Sequence, residues 1–169
     1  QSLRGNVPTR LGKLDAGDYD AIILAAAGLE RLGFSNRITE KLGVDRSLPA
    51  VGQGALGIET RASDRETTEL VFKAMNHAMD ASRVAAERSF LAYLEGGCQA
   101  PIAGYAHYQD GELLLEGFVG RPDGSVMLRA RGRGTQAGAR ALGRSVAEDL
   151  VAQGALPILE ELIEAATRR

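Results

Sequence analysis

The chain has 169 residues, 44% hydrophobic and 25% charged, with a formal net charge of -2, enough for one ordinary domain or two small ones with their own cores. That charge balance argues against a nucleic-acid-binding surface, which needs a clustered basic excess, and no apolar run approaches the ~20 residues that cross a bilayer. One cysteine excludes an internal disulfide, two isolated histidines do not build a zinc site, and the opening residues lack a signal-peptide layout. A reduced, cytoplasmic protein without a metal is expected.

The first 48 residues read as α/β. Residues 4–7 form a short extended piece, Pro8 suits a first helical position, Leu11 and Leu14 share a face, and Gly17 supplies the stop. Asp20-Ala-Ile-Ile-Leu-Ala25 shows no polar alternation after Asp20, as in a strand covered on both faces. A short helix follows through Gly28 and Leu32 to Gly33. Two strands and two helices are too little for a stable parallel sheet, and nothing before Arg4 offers a partner strand. With no initiating Met, the chain is expected to be the C-terminal part of a longer protein.

Residues 47–60 form a Pro/Gly-rich crossing, with a strand expected at 55–59. Helical patterns cover 65–75 and 80–94; in the second, Val84, Leu91 and Leu94 fall on one side and Arg83, Glu87 and Arg88 elsewhere, and Gly96-Gly97 closes it. The remainder reads as a separate α+β unit. Asp110-Gly111 signals a two-residue hairpin between strands at 102–108 and 112–119, and Pro122-Asp-Gly124 turns the chain into a third strand at 126–131. Ala139, Leu142, Val146 and Leu150 mark an amphipathic helix ending near Gly154; Pro157 opens a last helix with Ile158, Leu159, Leu162 and Ile163 inward. Helices are expected to cover one face of this three-stranded antiparallel sheet, with Arg168-Arg169 as a solvated tail.

Several patterns invite a chemical reading. Gly52-Gln-Gly-Ala-Leu-Gly57 fits G-x-G-x-x-G, but Pro49 precedes it and β-like Ile58-Glu59 follows where a dinucleotide site needs a helix, so a close-packed crossing is the better account. His77 and His107 lack an evident catalytic partner, Glu160, Glu161 and Glu164 follow a solvated helix face, and Gly143-Arg-Ser145 lies within a helix rather than a nucleophile elbow. Arg4 and Arg10 bracket a strand-to-helix turn, and Arg31 follows the next strand. Strand ends of open α/β sheets form ligand crevices, where the arginine fork suits carboxylates; the alternative is ordinary surface arginine. Cys98 sits in Leu94-Glu-Gly-Gly-Cys-Gln-Ala-Pro101. Two glycines leave the thiol unshielded, whereas a buried small apolar cysteine is the common alternative. A helix C-terminus disfavours a thiolate, so activation there needs nearby arginines.

Taken in order, these segments resemble the porphobilinogen deaminase family. The likeness rests on Arg4-Gly-Asn-Val-Pro-Thr-Arg10, Asp20-Ala-Ile-Ile-Leu-Ala-Ala-Ala-Gly-Leu-Glu-Arg31, Leu48-Pro-Ala-Val-Gly-Gln-Gly-Ala-Leu-Gly-Ile-Glu59, and Glu87-Arg88 leading to Leu94-Glu-Gly-Gly-Cys-Gln-Ala-Pro-Ile102. It weakens after about residue 120. The resemblance implies a transferase of tetrapyrrole (heme) biosynthesis that joins four porphobilinogen molecules head to tail, releasing ammonia and yielding hydroxymethylbilane. In such an enzyme porphobilinogen loses ammonia to give an azafulvene, which the growing pyrrole chain attacks.

By the same resemblance, Cys98 carries a dipyrromethane cofactor through a thioether. Arg4, Arg10 and Arg31 match positions that bind the pyrrole carboxylates, and Gly28 and Gln53 line the same cleft. The family has three domains. Residues 1–48 would finish the second, a periplasmic-binding-protein-like α/β lobe; 49–74 would cross back to the first; 75–169 would be the third, cysteine-bearing α+β domain. The N-terminal part, with an aspartate for the cationic intermediates and several arginine, lysine and serine contacts, is then absent; the fragment is expected to be inactive by itself, and the enzyme a monomer. The competing expectations are a noncatalytic small-anion-binding module with a structural cysteine and a regulatory α+β domain.

Overall fold

A computed structural model describes residues 3–94 and 101–167, with backbone alone for 162–167. The chain forms two compact units, Gln1–Gly43 and Val44–Arg169.

In the first unit, helix α1 (Val7–Asp15) starts where Asn6 adopts extended backbone and its side chain accepts the Thr9 N–H at 2.9 Å. It ends in a Schellman motif: Gly17 N–H donates to Leu14, Asp18 N–H donates to Lys13, and Gly17 takes φ +80°. Helix α2 (Ala26–Arg31) closes at Gly33, φ +78°, and a 3-10 turn follows at Ser35–Arg37. Leu11 and Leu29 are the buried apolar side chains. Ion pairs Arg37–Asp15 and Lys41–Glu30 brace the unit.

The strand expected at residues 20–25 does not form: the segment has no strand partner among the described residues, and Ile23 is 77% exposed. A strand exists only through a neighbour that takes its N–H and C=O groups. Residues 3–43 contribute two helices and a 3-10 turn, with no second strand among those described. The expected strand at 55–59 fails likewise: Leu56 is 85% exposed and the segment has no strand partner among the described residues.

The second unit carries the α+β architecture. Helix α3 (Arg65–Met75) is capped by Asp64, which accepts the Thr67 N–H at 3.0 Å. Helix α4 (Ala78–Tyr93) leads, further along the chain, to a meander of β1 (Ile102–Gln109), β2 (Glu112–Gly120) and β3 (Met127–Gly134), antiparallel in the order β1-β2-β3. The β1–β2 hairpin turns on Asp110 and Gly111 at φ +53° and +84°, the two positive values that a type I′ turn requires. Helices α5 (Ala139–Ala152) and α6 (Ala155–Thr167) follow, joined through Gly154 at φ +97°.

Period-2 alternation sends Leu113, Leu115 and Val119 inward against Ala86, Phe90, Leu142, Val146 and Leu150 from α4 and α5. Ile158 and Leu159 close the core, while the side chains of Leu162 and Ile163 lie outside the described set. The buried stripe of α4 is Ser82, Ala86, Glu87 and Phe90, continued by Leu94 just past its end; Leu94 is inward as expected, whereas Val84 and Leu91 are only half-buried. Phe90 governs the rotation of α4, because its ring lies over Gly104 and Gly117, where a β-carbon would meet ring atoms at 3.3 and 2.5 Å.

Candidate functional site

Two arrangements bear on function, one in each unit. In the first, an open groove of about 570 Å³ is lined by Gly5, Asn6, Val7, Pro8, Arg10, Leu24, Ala25, Gly28 and Leu32. That volume lies in the range of small-molecule sites. Gly5, at φ +124°, lets the chain fold back over the start of α1, and a β-carbon there would meet Thr9 Cγ2 at 2.9 Å. The fold-back sets the Gly5 carbonyl where Arg10 Nε donates to it at 2.7 Å. With Nε committed, the two Nη groups of Arg10 have no partner among the described residues. The groove wall includes the first turn of α1, whose amide end is electropositive.

Arg10 and Gly28 both line this groove. Arg4 stands on the fold-back, exposed, its carbonyl accepting Lys13 Nζ at 3.4 Å. Arg31 is exposed on the last turn of α2 and does not line the groove. Both guanidinium groups are without an ion pair among the described residues. Gln53 lies in the second unit, in an exposed turn that it closes itself: Ala50 N–H donates to Gln53 Oε1 at 3.0 Å and Gln53 N–H to the Ala50 carbonyl at 3.1 Å. Cys98 lies outside the described residues. His77 pairs with Asp80 at 2.8 Å on the surface, and His107 stacks on Tyr105 with ring centroids 5.3 Å apart, a surface pairing and a sheet-face stack with no catalytic partner among the described residues. Gly52, at φ +69°, turns the chain in the G-x-G-x-x-G segment, and no helix follows it.

The second arrangement surrounds Glu87, which the helical pattern had put away from the buried side. It is 7% exposed. Its Oε1 accepts the Ala106 N–H at 2.8 Å and its Oε2 accepts the Gly52 N–H at 2.7 Å. Burial pushes this carboxyl above the ordinary glutamate value; the two amide donors and the Arg83 charge oppose the shift without cancelling it. Centring the α4 stripe on Phe90 would have revealed it, since Glu87 sits one turn earlier beside Ala86.

A family model described as the porphobilinogen deaminase dipyrromethane cofactor-binding domain matches residues 1–69. A second, the porphobilinogen deaminase C-terminal domain, matches residues 81–152. The chain belongs to the porphobilinogen deaminase family. This is a family of transferases of tetrapyrrole biosynthesis whose substrate is porphobilinogen. The groove with Arg10 and Gly28, and the turn with Gln53, both fall within the stretch matched to cofactor binding. Glu87 and the sheet fall within the stretch matched to the C-terminal domain.

Proposed function

We propose that this chain is the C-terminal part of a deaminase that condenses four porphobilinogen molecules head to tail into hydroxymethylbilane, releasing ammonia. The observation that carries this reading is the groove holding the uncommitted Nη groups of Arg10 beside Gly28, within the cofactor-binding match. A dipyrromethane carries carboxylate side chains, and a guanidinium can hold a carboxylate through two parallel hydrogen bonds. The groove's size, its arginine and the electropositive start of α1 fit such a group.

When bound, the dipyrromethane supplies a nucleophilic pyrrole carbon from which the product chain is built. The protein's own residues then bind and orient. Cys98 is the proposed thioether anchor, Arg10, Arg4 and Arg31 neutralise carboxylates, and Gly28 and Gln53 line the cleft. Each added pyrrole brings two more carboxylates, so the exposed guanidinium groups of Arg4 and Arg31 and the uncommitted Nη groups of Arg10 are suited to accumulating charge.

The apolar segment at 20–25, without a strand partner among the described residues and with Ile23 exposed, supports an α/β lobe of periplasmic-binding type completed by strands from elsewhere in the protein. The fragment by itself is accordingly proposed to be inactive, and the parent enzyme a cytoplasmic monomer.

Intact mass of the full-length protein, with Ehrlich's reagent, tests the central claim. A coloured adduct lost in Cys98→Ser supports it. An unmodified Cys98 thiol in the full-length protein overturns it and favours a noncatalytic anion-binding module. Turnover of porphobilinogen by the 169-residue chain alone refutes the inactivity of the fragment.

A further inference from the structure

Among the described residues, strand β1 is an edge strand, paired with β2 on one side only. Its outward amides at Gly104 and Ala106 belong to buried residues and need acceptors. The Gly104 N–H donates to the Pro49 carbonyl at 3.1 Å, and the Ala106 N–H donates to Glu87 at 2.8 Å. Val51 packs over Gly104, where a β-carbon would lie 3.1 Å from Val51 Cγ2. The second oxygen of Glu87 takes the Gly52 N–H, so one carboxylate joins helix, sheet edge and crossing turn.

A buried carboxylate is a costly way to fill a helix–sheet interface, and an apolar side chain of similar volume would pack there at lower cost. What an apolar residue cannot do is accept two amide protons from two different segments. We propose that Glu87 is a positioning residue: its carboxylate clasps the turn at residues 49–53 onto the edge of β1 and so fixes Gln53 relative to helix α4. Arg83, one turn earlier on α4, supplies the nearby positive charge; it pairs with Asp80 at 3.0 Å and lies over the Tyr108 ring. Tyr108 in turn hydrogen-bonds Ser82 at 2.8 Å, holding the start of α4 on β1.

The consequence for cofactor loading rests on the function proposed above, because Gln53 and Cys98 enter only through that reading. The clasp itself does not depend on it. Two measurements keep the claims separate. In the 169-residue chain, the Gly52 and Ala106 amide protons are followed by NMR from pH 7 to pH 4. They are expected to titrate together, with one midpoint above the usual glutamate value, and to lose that titration in Glu87→Gln. Amide exchange at residues 51–53 is expected to rise by about tenfold or more in Glu87→Gln, the equivalent of one charge-assisted hydrogen bond, and exchange in β2 to change much less. Independent titrations, an absent one, or equal acceleration across the whole sheet would overturn the clasp. The wild-type titration needs no variant to fold.

In the full-length deaminase, Glu87→Gln is expected to slow cofactor attachment while leaving the thermal midpoint within a few degrees. A normal clasp with unchanged loading would overturn the positioning role. Failure of the wild type to load any cofactor would instead overturn the function on which that role rests.

Discussion

The closest helix crossing in the second unit turns on Gly143, and Gly143→Ala should disrupt it. A β-carbon at Gly143 would lie 2.2 Å from the Ala86 carbonyl oxygen, 2.9 Å from the Phe90 nitrogen and 2.9 Å from Ser89 Cβ. Ordinary van der Waals contact begins near 3.4 Å, and two of these obstacles are backbone, which no rotamer change relieves. Helices α4 and α5 must therefore part by roughly 1 Å, a gap that forfeits a quarter to a half of each affected dispersion contact. Overpacking of this kind costs about 1–3 kcal/mol, against which alanine recovers up to about 1 kcal/mol of helix propensity. A net loss of about 1–2 kcal/mol is expected, lowering the midpoint of the second unit by about 4–8 °C. Differential scanning calorimetry of the 169-residue chain measures it, with Gly12→Ala as the control. Gly12 lies in helix α1 with nothing within 4 Å of its added carbon, so that change should be neutral or stabilising. A Gly143→Ala protein as stable as wild type would refute the close-crossing argument.

Three further outcomes are expected. Gly5→Ala imposes φ +124° on a residue with a β-carbon and crowds Thr9, a strain of about 1–3 kcal/mol; the turn holding Arg10 should open, seen as faster amide exchange over residues 5–10 and weaker cofactor loading in the full-length enzyme, and normal loading would count against the groove. Glu116 has only 14% of its side chain exposed and pairs with Arg129 at 2.7 Å and Arg131 at 2.8 Å, so Glu116→Gln should cost about 1 kcal/mol in urea unfolding, shrinking in 1 M salt. The carboxyls of Glu87 and Asp64 should move stability in opposite directions with pH. Burial raises Glu87, so its contribution is fully present below the unfolded glutamate value and is lost as pH rises through its raised native value. The Thr67 backbone and side-chain hydrogen bonds lower Asp64, so its capping contribution is present above the unfolded aspartate value and is lost as pH falls through its native one. Unfolding curves between pH 3 and pH 7 should therefore become flatter at the upper end in Glu87→Gln, and α3 should fray less in acid in Asp64→Asn.

The α+β unit was legible because its signals are local. Asp110-Gly111 demands its own turn conformation, alternation at 112–119 needs only one covered face, and Leu142, Val146 and Leu150 repeat at helical spacing. The pattern over 65–75 matches α3 to the residue, with Asp64 as the cap. The strands expected at 20–25 and 55–59 were not decided locally. A run such as Ala21-Ile-Ile-Leu24 becomes a strand only when another backbone lies beside it, and sequence reports the apolar character without the neighbour.

Candidate site residues divide along the same line. The sequence by itself determined which side chains could carry the chemistry: the arginines at 4, 10 and 31, the glycines that bend the chain near them, and the lone Cys98. It also carried the ordered motifs that place the chain in its family. Only the tertiary structure decided that Arg10 commits Nε to Gly5 and keeps its Nη groups uncommitted in a groove, while Arg31 lies off that groove. Only the packing of Phe90 over Gly104 and Gly117 decided the rotation of α4, and with it the burial of Glu87. The physical reason is that a hydrogen-bond acceptor for an edge strand is a three-dimensional requirement: nothing in the local sequence around Glu87 records that residues 52 and 106 will each bring it an amide proton.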